Sequence, residues 1–231
     1  IAGTATDLVD VYTGSDGDTP FLIGALQFAN LFTESGKDIV VLGSADQASF
    51  DLGAADDSAT VNGLFSKSVA NGGDGADNII IDTLANSRVV GGLGDDVVEI
   101  KTSSANGVFD GGAGAADRMV LAGAASSYGL KYSKDASGVV SLTDKAQNSF
   151  VGFEFFTFSD KTYSLADVVT GIDTNQFNPS AVVATPPPGG IRLVTADPAK
   201  TTTQLLEGGD GPDILTGGFA SDILRGGLGS D

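Results

Sequence analysis

The sequence predicts an all-β chain whose residues 1–120 form a parallel β-roll, or β-solenoid. Three observations support this fold class. Aspartates recur at intervals of 19 to 21 residues, at Asp38, Asp57, Asp77, Asp96 and Asp117, and Asp7 opens an earlier copy. The residues two and four positions after each of these aspartates are apolar in all six copies. Glycine supplies 33 of 231 residues and aspartate outnumbers glutamate 26 to 4, which is typical of a chain rich in turns.

Each repeat is predicted to hold two short strands and two turns. In a stretch such as Val40-Val41-Leu42, the first and third residues are expected to point into the core and the middle one outward. This alternation is typical of a half-buried strand. A second apolar stretch follows, for example Arg88-Val89-Val90 or Val108-Phe109. A repeat of this length suits one coil of a parallel solenoid, whose core grows as coils stack.

Residues 19–33 lie between the first two copies and are predicted to form a short helix or an irregular insertion. Thr19 is a candidate N-cap, with Pro20 at the first helical position. Leu22, Leu26 and Ala29 fall at helical spacing. The alternative for this segment is another pair of strands.

Composition excludes several kinds of site. Cys, His and Trp are absent, so the chain has no disulfide, no Cys/His zinc site and no imidazole or thiolate catalysis. The net charge of −18 argues against a protein that binds nucleic-acid phosphates. No apolar run reaches the roughly 18 residues of a membrane span. We therefore expect neither a membrane span nor catalysis within this chain.

The turns before the apolar pairs are rich in glycine and aspartate. Two of them read Gly72-Gly73-Asp74-Gly75-Ala76-Asp77 and Gly91-Gly92-Leu93-Gly94-Asp95-Asp96, and three more begin at Gly208, Gly217 and Gly226. These turns resemble the G-G-x-G-x-D-x-U-x nonapeptide of the RTX (repeats-in-toxin, haemolysin-type) calcium-binding proteins. Glycine lets backbone carbonyls converge and aspartate adds an anionic oxygen, and calcium prefers such oxygen ligands.

The resemblance implies several calcium ions, each held between two turns on one edge of the roll. Asp77 and Asp96 are then expected to share one ion and Asp96 and Asp117 another, while Asp213 pairs with Asp231. The residues expected to bind metal, or to shape the turns that do, are Gly73, Asp74, Gly75, Asp77, Gly92, Gly94, Asp95, Asp96, Gly112, Gly114, Asp117, Gly209, Gly211, Asp213, Gly218, Asp222, Gly227, Gly229 and Asp231.

Some turns depart from the nonapeptide pattern. The turn 111–117 carries one extra residue, so we expect a distorted site at Asp117. Ala220 replaces the third glycine of its turn. The turns before Asp38 and Asp57 lack the double glycine, and these coils are expected to have strands but weaker calcium sites, or none.

Residues 121–170 are predicted to form an antiparallel β segment that caps the roll. Apolar alternation over 128–132 and 140–142 predicts strands, with turns at 135–138 and 145–148. The segment is similar to the β-rich region that often follows β-rolls in secreted RTX proteins. Its phenylalanines Phe153, Phe155, Phe156 and Phe158 are expected in the core, and a sugar-binding face is the alternative.

The remaining sequence predicts a linker and a second roll. Residues 171–190 include Pro186-Pro187-Pro188 and are expected to form an extended, semi-rigid linker. Residues 191–231 are predicted to begin a second RTX roll, truncated at Asp231 in the middle of its pattern. We interpret the sequence, which starts at Ile1, as a fragment of a longer protein.

These features favour a calcium-binding structural or adhesive region of a secreted or surface-attached bacterial protein. The resemblance implies type I secretion and folding on extracellular calcium. The expected partners are calcium and, outside the cell, a surface glycan or further copies of the chain. The alternatives are an accessory C-terminal region of a secreted lipase, protease or epimerase, and a carbohydrate-binding module.

Overall fold

The computed structural model describes residues 21–173 with their side chains and, as backbone alone, the strands 4–5, 10–12, 192–195, 205–210, 213–216 and 223–228. The chain divides into two compact units, residues 1–165 and 166–231. The strands of the first unit are β1 Thr4–Ala5, β2 Asp10–Tyr12, β3 Phe21–Ile23, β4 Ala25–Gln27, β5 Asn30–Phe32, β6 Ile39–Leu42, β7 Ala45–Asp46, β8 Ser49–Asp51, β9 Ser58–Ser66, β10 Val69–Asp74, β11 Asn78–Ala85, β12 Arg88–Leu93, β13 Val97–Ala105, β14 Val108–Ala113, β15 Arg118–Leu121, β16 Lys131–Lys134, β17 Val140–Thr143, β18 Ser149–Val151, β19 Phe155–Thr157 and β20 Thr162–Ser164.

Parallel stacking of successive coils produces two sheets, which confirms the predicted solenoid. In the first sheet β6, β9, β11, β13 and β15 pair in that order. In the second sheet β8, β10, β12 and β14 do the same. Paired residues are one repeat apart, so Ile79 lies between Ala59 and Val98. Each complete coil therefore contributes a strand to each sheet and two turns.

The core is made by the apolar pairs that define the repeat. The inward residues of the first sheet are at most 2% exposed from Val40 and Leu42 through Met119 and Leu121. Opposite them, Phe50, Ala70, Val89 and Phe109 are buried in the second sheet. The period-two alternation in the sequence thus correctly predicts which side chains point into the roll and which point out.

The helix predicted within residues 19–33 is wrong, and the alternative of further strands is right. Residues 21–32 form β3, β4 and β5, which pair in parallel with β6, β7 and β8 of the next coil. Leu26 and Leu31 are fully buried, whereas Leu22 is 52% exposed. Pairing with an existing coil outweighs the helical spacing, because a helix here would leave the edges of β6–β8 unpaired. Thr19 and Pro20 lie outside the described residues.

The two turns of each coil differ in chemistry. The turn from the first sheet to the second has a residue in the left-handed region, such as Lys67, Asn86 or Asn106, with φ of 49°, 50° and 52°. There the Ser68 N–H donates to Ser87 Oγ at 3.0 Å. The turn from the second sheet back to the first carries the glycines and aspartates. The repeat aspartates that the structure describes, from Asp38 to Asp117, therefore lie along one edge of the roll.

The chain leaves the roll after β15 and returns at β18. In between, β16 and β17 form an antiparallel hairpin, and β17 also pairs antiparallel with β18. This confirms the predicted antiparallel cap. β18 and β19 then pair in parallel with β14 and β15, so residues 149–157 extend the roll, which the sequence did not indicate. β20 closes the first sheet antiparallel to β19.

Three of the four phenylalanines predicted to lie in the core do so, and Phe155 does not. Phe153, Phe156 and Phe158 are at most 4% exposed. Phe150 of β18 stacks on Phe109 with ring centroids 5.2 Å apart. Phe155 is half-buried, and the Arg118 guanidinium lies 5.8 Å from the centre of its ring. The three buried rings cannot form a sugar-binding face.

The second unit contains parallel strand pairs. Helix α1, Leu165–Asp173, begins at the boundary between the units and covers the first residues of the predicted linker. The remainder of that linker lies outside the described residues. Beyond it, β21 Arg192–Thr195 pairs in parallel with β23 Asp213–Thr216, and β22 Leu205–Asp210 with β24 Ile223–Leu228. These pairs agree with the predicted start of a second roll.

Candidate metal centre

One buried aspartate per coil forms a continuous file at the glycine-rich edge of the roll. This file, which we call the aspartate column, consists of Asp38, Asp57, Asp77, Asp96 and Asp117, all at most 3% exposed. The N–H of each of the first four column aspartates donates to Oδ1 of the aspartate in the following coil, at 2.7–2.8 Å. The carboxylates therefore stack at the strand spacing, roughly 5 Å.

Glu154 ends the aspartate column. Its Oε2 accepts the Asp117 N–H at 3.0 Å, the bond that a further column aspartate would otherwise accept. The register explains this position, because Arg118 pairs with Phe155 and each acid directly precedes its strand. The period of the sequence does not reveal Glu154 as a column member, since it lies 37 residues after Asp117 instead of one repeat. The available signal was an acid placed one residue before an apolar, alternating strand.

The second carboxylate oxygen faces a confined space. Oδ2 of Asp57, Asp77, Asp96 and Asp117 is buried and has no hydrogen-bond partner. A Cβ at Gly72 would lie 2.3 Å from the Gly91 carbonyl oxygen and 2.5 Å from Asp77 Oδ2. The same relationship recurs one coil on, where a Cβ at Gly91 would lie 2.2 Å from the oxygen of Gly111 and 2.4 Å from Asp96 Oδ2. The first glycine of each pair thus leaves room for the carboxylate, and a carbonyl oxygen of the next coil faces the same space.

These carboxylates are costly to ionise in this environment. Burial raises the pKa of Asp57, Asp77 and Asp96 to about 6, partly offset by the backbone hydrogen bond that each accepts, while neighbouring carboxylates raise it further. The pKa of Asp117 is also raised, by burial first and by Glu154 among its acidic neighbours. Two oxygens without hydrogens facing one space attract a proton, a cation or a donor such as water, and a cation is favoured where the carboxylate is ionised.

The turn glycines predicted from the motif hold the backbone in conformations that favour glycine. Gly73, Gly75, Gly92, Gly94 and Gly112 have φ between 104° and 141°. Successive turns also pack closely, since a Cβ at Gly94 would lie 2.2 Å from the Gly75 oxygen and one at Gly114 would lie 2.2 Å from the Gly94 oxygen. Each of these glycines therefore lies directly against a backbone carbonyl oxygen of the preceding coil.

The outer aspartates of the motif are not brought into the column. Asp74 and Asp95 are exposed, and Asp95 Oδ1 accepts the N–H groups of Ala115 and Ala116. These two bonds accommodate the extra residue before Asp117, which keeps its bond to the Asp96 N–H at 2.8 Å. The column hydrogen bond is therefore not distorted at this turn. Within residues 21–173 no group of three or more acidic side chains is arranged to hold a metal ion, so backbone oxygens must complete any site.

The turns without a double glycine carry a side chain at the position of the first glycine. In the register of the second sheet, Leu52 and Thr33 occupy the place of Gly72 and Gly91. Leu52 is fully buried, so a side chain stands where the glycines leave space. Asp57 keeps its place in the column, but the space beside its Oδ2 is lined differently.

The predicted site residues of the second roll are described only in part. Gly209 pairs with Gly227 in the β22–β24 ladder, and Asp213 begins β23. Gly211, Gly218, Asp222, Gly229 and Asp231 lie outside the described residues, as does the expected pairing of Asp213 with Asp231.

No helix in the described part of the chain is sufficiently long and apolar to cross a membrane. Comparison with known protein families gave no match, and no curated protein is similar to the chain at a significant level.

Proposed function

We propose that this chain is a calcium-binding structural or adhesive region of a secreted or surface-attached bacterial protein of the RTX type. The observation that carries the proposal is the row of buried, unpartnered Oδ2 atoms at Asp57, Asp77, Asp96 and Asp117. Neutral pH lies above the pKa of about 6 of Asp57, Asp77 and Asp96, so these carboxylates are buried as anions and call for a counter-ion.

The chemistry of this edge suits calcium. Calcium takes six to eight oxygen ligands in a flexible shell. Asp77 and Asp96 are the carboxylates we expect to share an ion, and Asp96 and Asp117 another, with backbone oxygens of the stacked glycine turns as the remaining ligands. A bound calcium ion supplies positive charge between the carboxylates of consecutive coils. It thereby offsets the repulsion within a chain of net charge −18.

Calcium is expected to couple folding to the extracellular environment. Each occupied site stabilises the folded state by about 1.4 kcal/mol at tenfold excess of calcium over its Kd. Extracellular modules commonly bind calcium with Kd on the order of 10⁻⁴–10⁻³ M, a concentration range that the cytosol does not reach. The chain would then fold after secretion and present a rigid roll outside the cell.

Circular dichroism and calorimetric titration test this proposal. We expect the purified chain to lose most of its β signal in EDTA, to recover it in millimolar calcium, and not to recover it in equal magnesium. Asp77→Asn should weaken calcium binding, whereas Glu99→Gln, which removes one charge from the outer face of β13, should not. A β spectrum that is unchanged by EDTA, together with no heat of calcium binding, would contradict the proposal.

A further inference from the structure

The closing turn of the roll is shorter than the turn before it. Residues 152–154 connect the second sheet to the first in this coil, whereas residues 111–117 do so in the preceding coil. By this register Gly152 takes the place of the first turn glycine, and Glu154 takes that of Asp117. Glutamate is one methylene longer than aspartate, and from this shorter turn its carboxylate still reaches the Asp117 N–H at 3.0 Å. The closing turn therefore keeps a glycine and a carboxylate at the positions that define the earlier turns.

A buried carboxylate and a backbone carbonyl meet at this turn. Asp117 is fully buried, and its Oδ2 has no hydrogen-bond partner. A Cβ at Gly111 would lie 2.2 Å from the Gly152 carbonyl oxygen and 2.9 Å from Asp117 Cβ. At Gly91, one coil earlier, the distances to the next carbonyl oxygen and to the Cβ of its column aspartate are 2.2 and 2.8 Å. The closing coil therefore repeats the arrangement in which a column carboxylate lies beside a carbonyl oxygen of the following coil.

A second carboxylate joins this arrangement without a cationic side chain to balance it. Glu154 Oε2 accepts the Asp117 N–H, which brings the two acidic residues together. Within residues 21–173 neither carboxylate forms an ion pair with Lys or Arg. Arg118 follows Asp117 in sequence, but it is exposed and its guanidinium lies 5.8 Å from the centre of the Phe155 ring. The repulsion between the two carboxylates is therefore left for a bound cation to offset.

We propose that Asp117, Glu154 and the Gly152 carbonyl hold a further calcium ion, which joins the antiparallel cap to the last regular coil of the roll. The inference rests on the proposed calcium function and extends it to a carboxylate outside the glycine-rich motif. Calcium accepts carboxylate and carbonyl oxygens in one flexible shell, and glutamate can supply both of its oxygens. Because Glu154 lies between β18 and β19, an ion there would fix the two strands with which the chain rejoins the roll. Packing of the cap would then depend on calcium.

Native mass spectrometry of the purified chain in calcium counts the bound ions. We expect Glu154→Gln, which keeps an acceptor for the Asp117 N–H but removes the charge, to bind one ion fewer than the parent chain. Glu99→Gln is the matched control. It makes the same chemical change on the outer face of β13, between Ile80 and Val120, and should leave the ion count unchanged.

The tyrosines give a second readout that is specific to the cap. Three of the four tyrosines of the chain, Tyr128, Tyr132 and Tyr163, lie in the cap, so near-ultraviolet circular dichroism reports its packing. In a calcium titration, the midpoint of this signal should rise about tenfold in Glu154→Gln and stay at the parent value in Glu99→Gln.

An unchanged ion count in Glu154→Gln would overturn this inference and leave the calcium function of the roll intact. A lost ion with an unchanged tyrosine midpoint would also overturn it, because the ion would then not join the cap to the roll. A parent chain that binds no calcium would instead contradict the proposed function itself. Should Glu154→Gln fail to fold in millimolar calcium, a crystal structure of the parent chain grown in calcium decides. An ion within about 2.6 Å of a Glu154 carboxylate oxygen supports the inference, and a Glu154 carboxylate without one overturns it.

Discussion

The backbone N–H of Asp77 donates a hydrogen bond of 2.8 Å to Oδ1 of Asp96 in the next coil. One oxygen of Asp96 thus holds two coils in register, while Oδ2 of the same carboxylate has no hydrogen-bond partner. Oδ1 thus has a structural role, and Oδ2 is the atom available to a cation. Replacement by Asn retains an acceptor and removes the charge, whereas replacement by Ala removes both, and this difference underlies the first predictions.

Without calcium, the chain should become less stable as pH rises from about 4 to 7. The pKa of Asp57, Asp77 and Asp96 is about 6 in the folded state and near 3.8 when unperturbed, so the folded state binds protons more tightly. The stabilisation by protonation is complete below about pH 4 and is lost as pH passes 6, up to about 3 kcal/mol for each group. Circular dichroism in chelator at pH values from 4 to 7 measures this, as the pH at which the β signal is lost. Asp77→Asn should flatten the dependence, and stability that rises with pH in chelator would refute the prediction.

Calcium affinity should depend more on Asp77 and Asp96 than on Asp57. All three are buried members of the aspartate column. Beside Asp57, however, the side chain of Leu52 occupies the position that Gly72 and Gly91 leave open beside Asp77 and Asp96. In calorimetric titration we expect Asp77→Asn and Asp96→Asn to weaken binding tenfold or more, and Asp57→Asn about threefold or less. Equal losses in all three variants would show that the residue facing the carboxylate does not control the site.

Gly91→Ala should destabilise the roll by about 3 kcal/mol or more. The added methyl group would lie 2.2 Å from the Gly111 oxygen and 2.4 Å from Asp96 Oδ2, both held by the coil stack. Gly138→Ala is the control: its Cβ meets nothing within 4 Å, so only its φ of 91° carries a cost, about 1 kcal/mol. Chemical denaturation in saturating calcium compares the two, and similar losses would mean that contact at Gly91 is unimportant.

Ala55→Gly should stabilise the chain by about 1 kcal/mol. Ala55 has φ of 109°, which an L-residue adopts only with strain, and it precedes Asp57 as Gly75 and Gly94 precede Asp77 and Asp96. Glycine adopts this conformation freely, and the gain exceeds its larger entropy loss on folding. The thermal midpoint in calcium should rise by a few degrees. A lower midpoint would indicate that the Ala55 methyl group makes a compensating contact.

The repeat itself could be predicted from the sequence because its signal is local. The alternation of apolar residues predicts which side chains are buried, as at Val40 and Leu42 or Ile79 and Ile81. The glycines before Asp96 predict its turn. Three features escaped prediction for physical reasons. Helical spacing at Leu22, Leu26 and Ala29 gave way to pairing with β6–β8. Glu154 and residues 149–157 rejoin the roll after an excursion of variable length, which no fixed period reveals. A cavity of about 390 Å³ beside Ser104 arises from that excursion and has no sequence motif of its own.

The column also has a direction. Every hydrogen bond along it runs from the N–H of an earlier coil to the carboxylate of a later one, and Glu154 accepts the final bond. A coil of 19 to 21 residues inserted anywhere before Asp117 would both donate and accept, leaving Glu154 as the terminator. The number of coils is thus independent of the structure that closes the roll. Duplication or deletion of whole repeats can change the length of the roll while Glu154 and the strands that follow it stay the same.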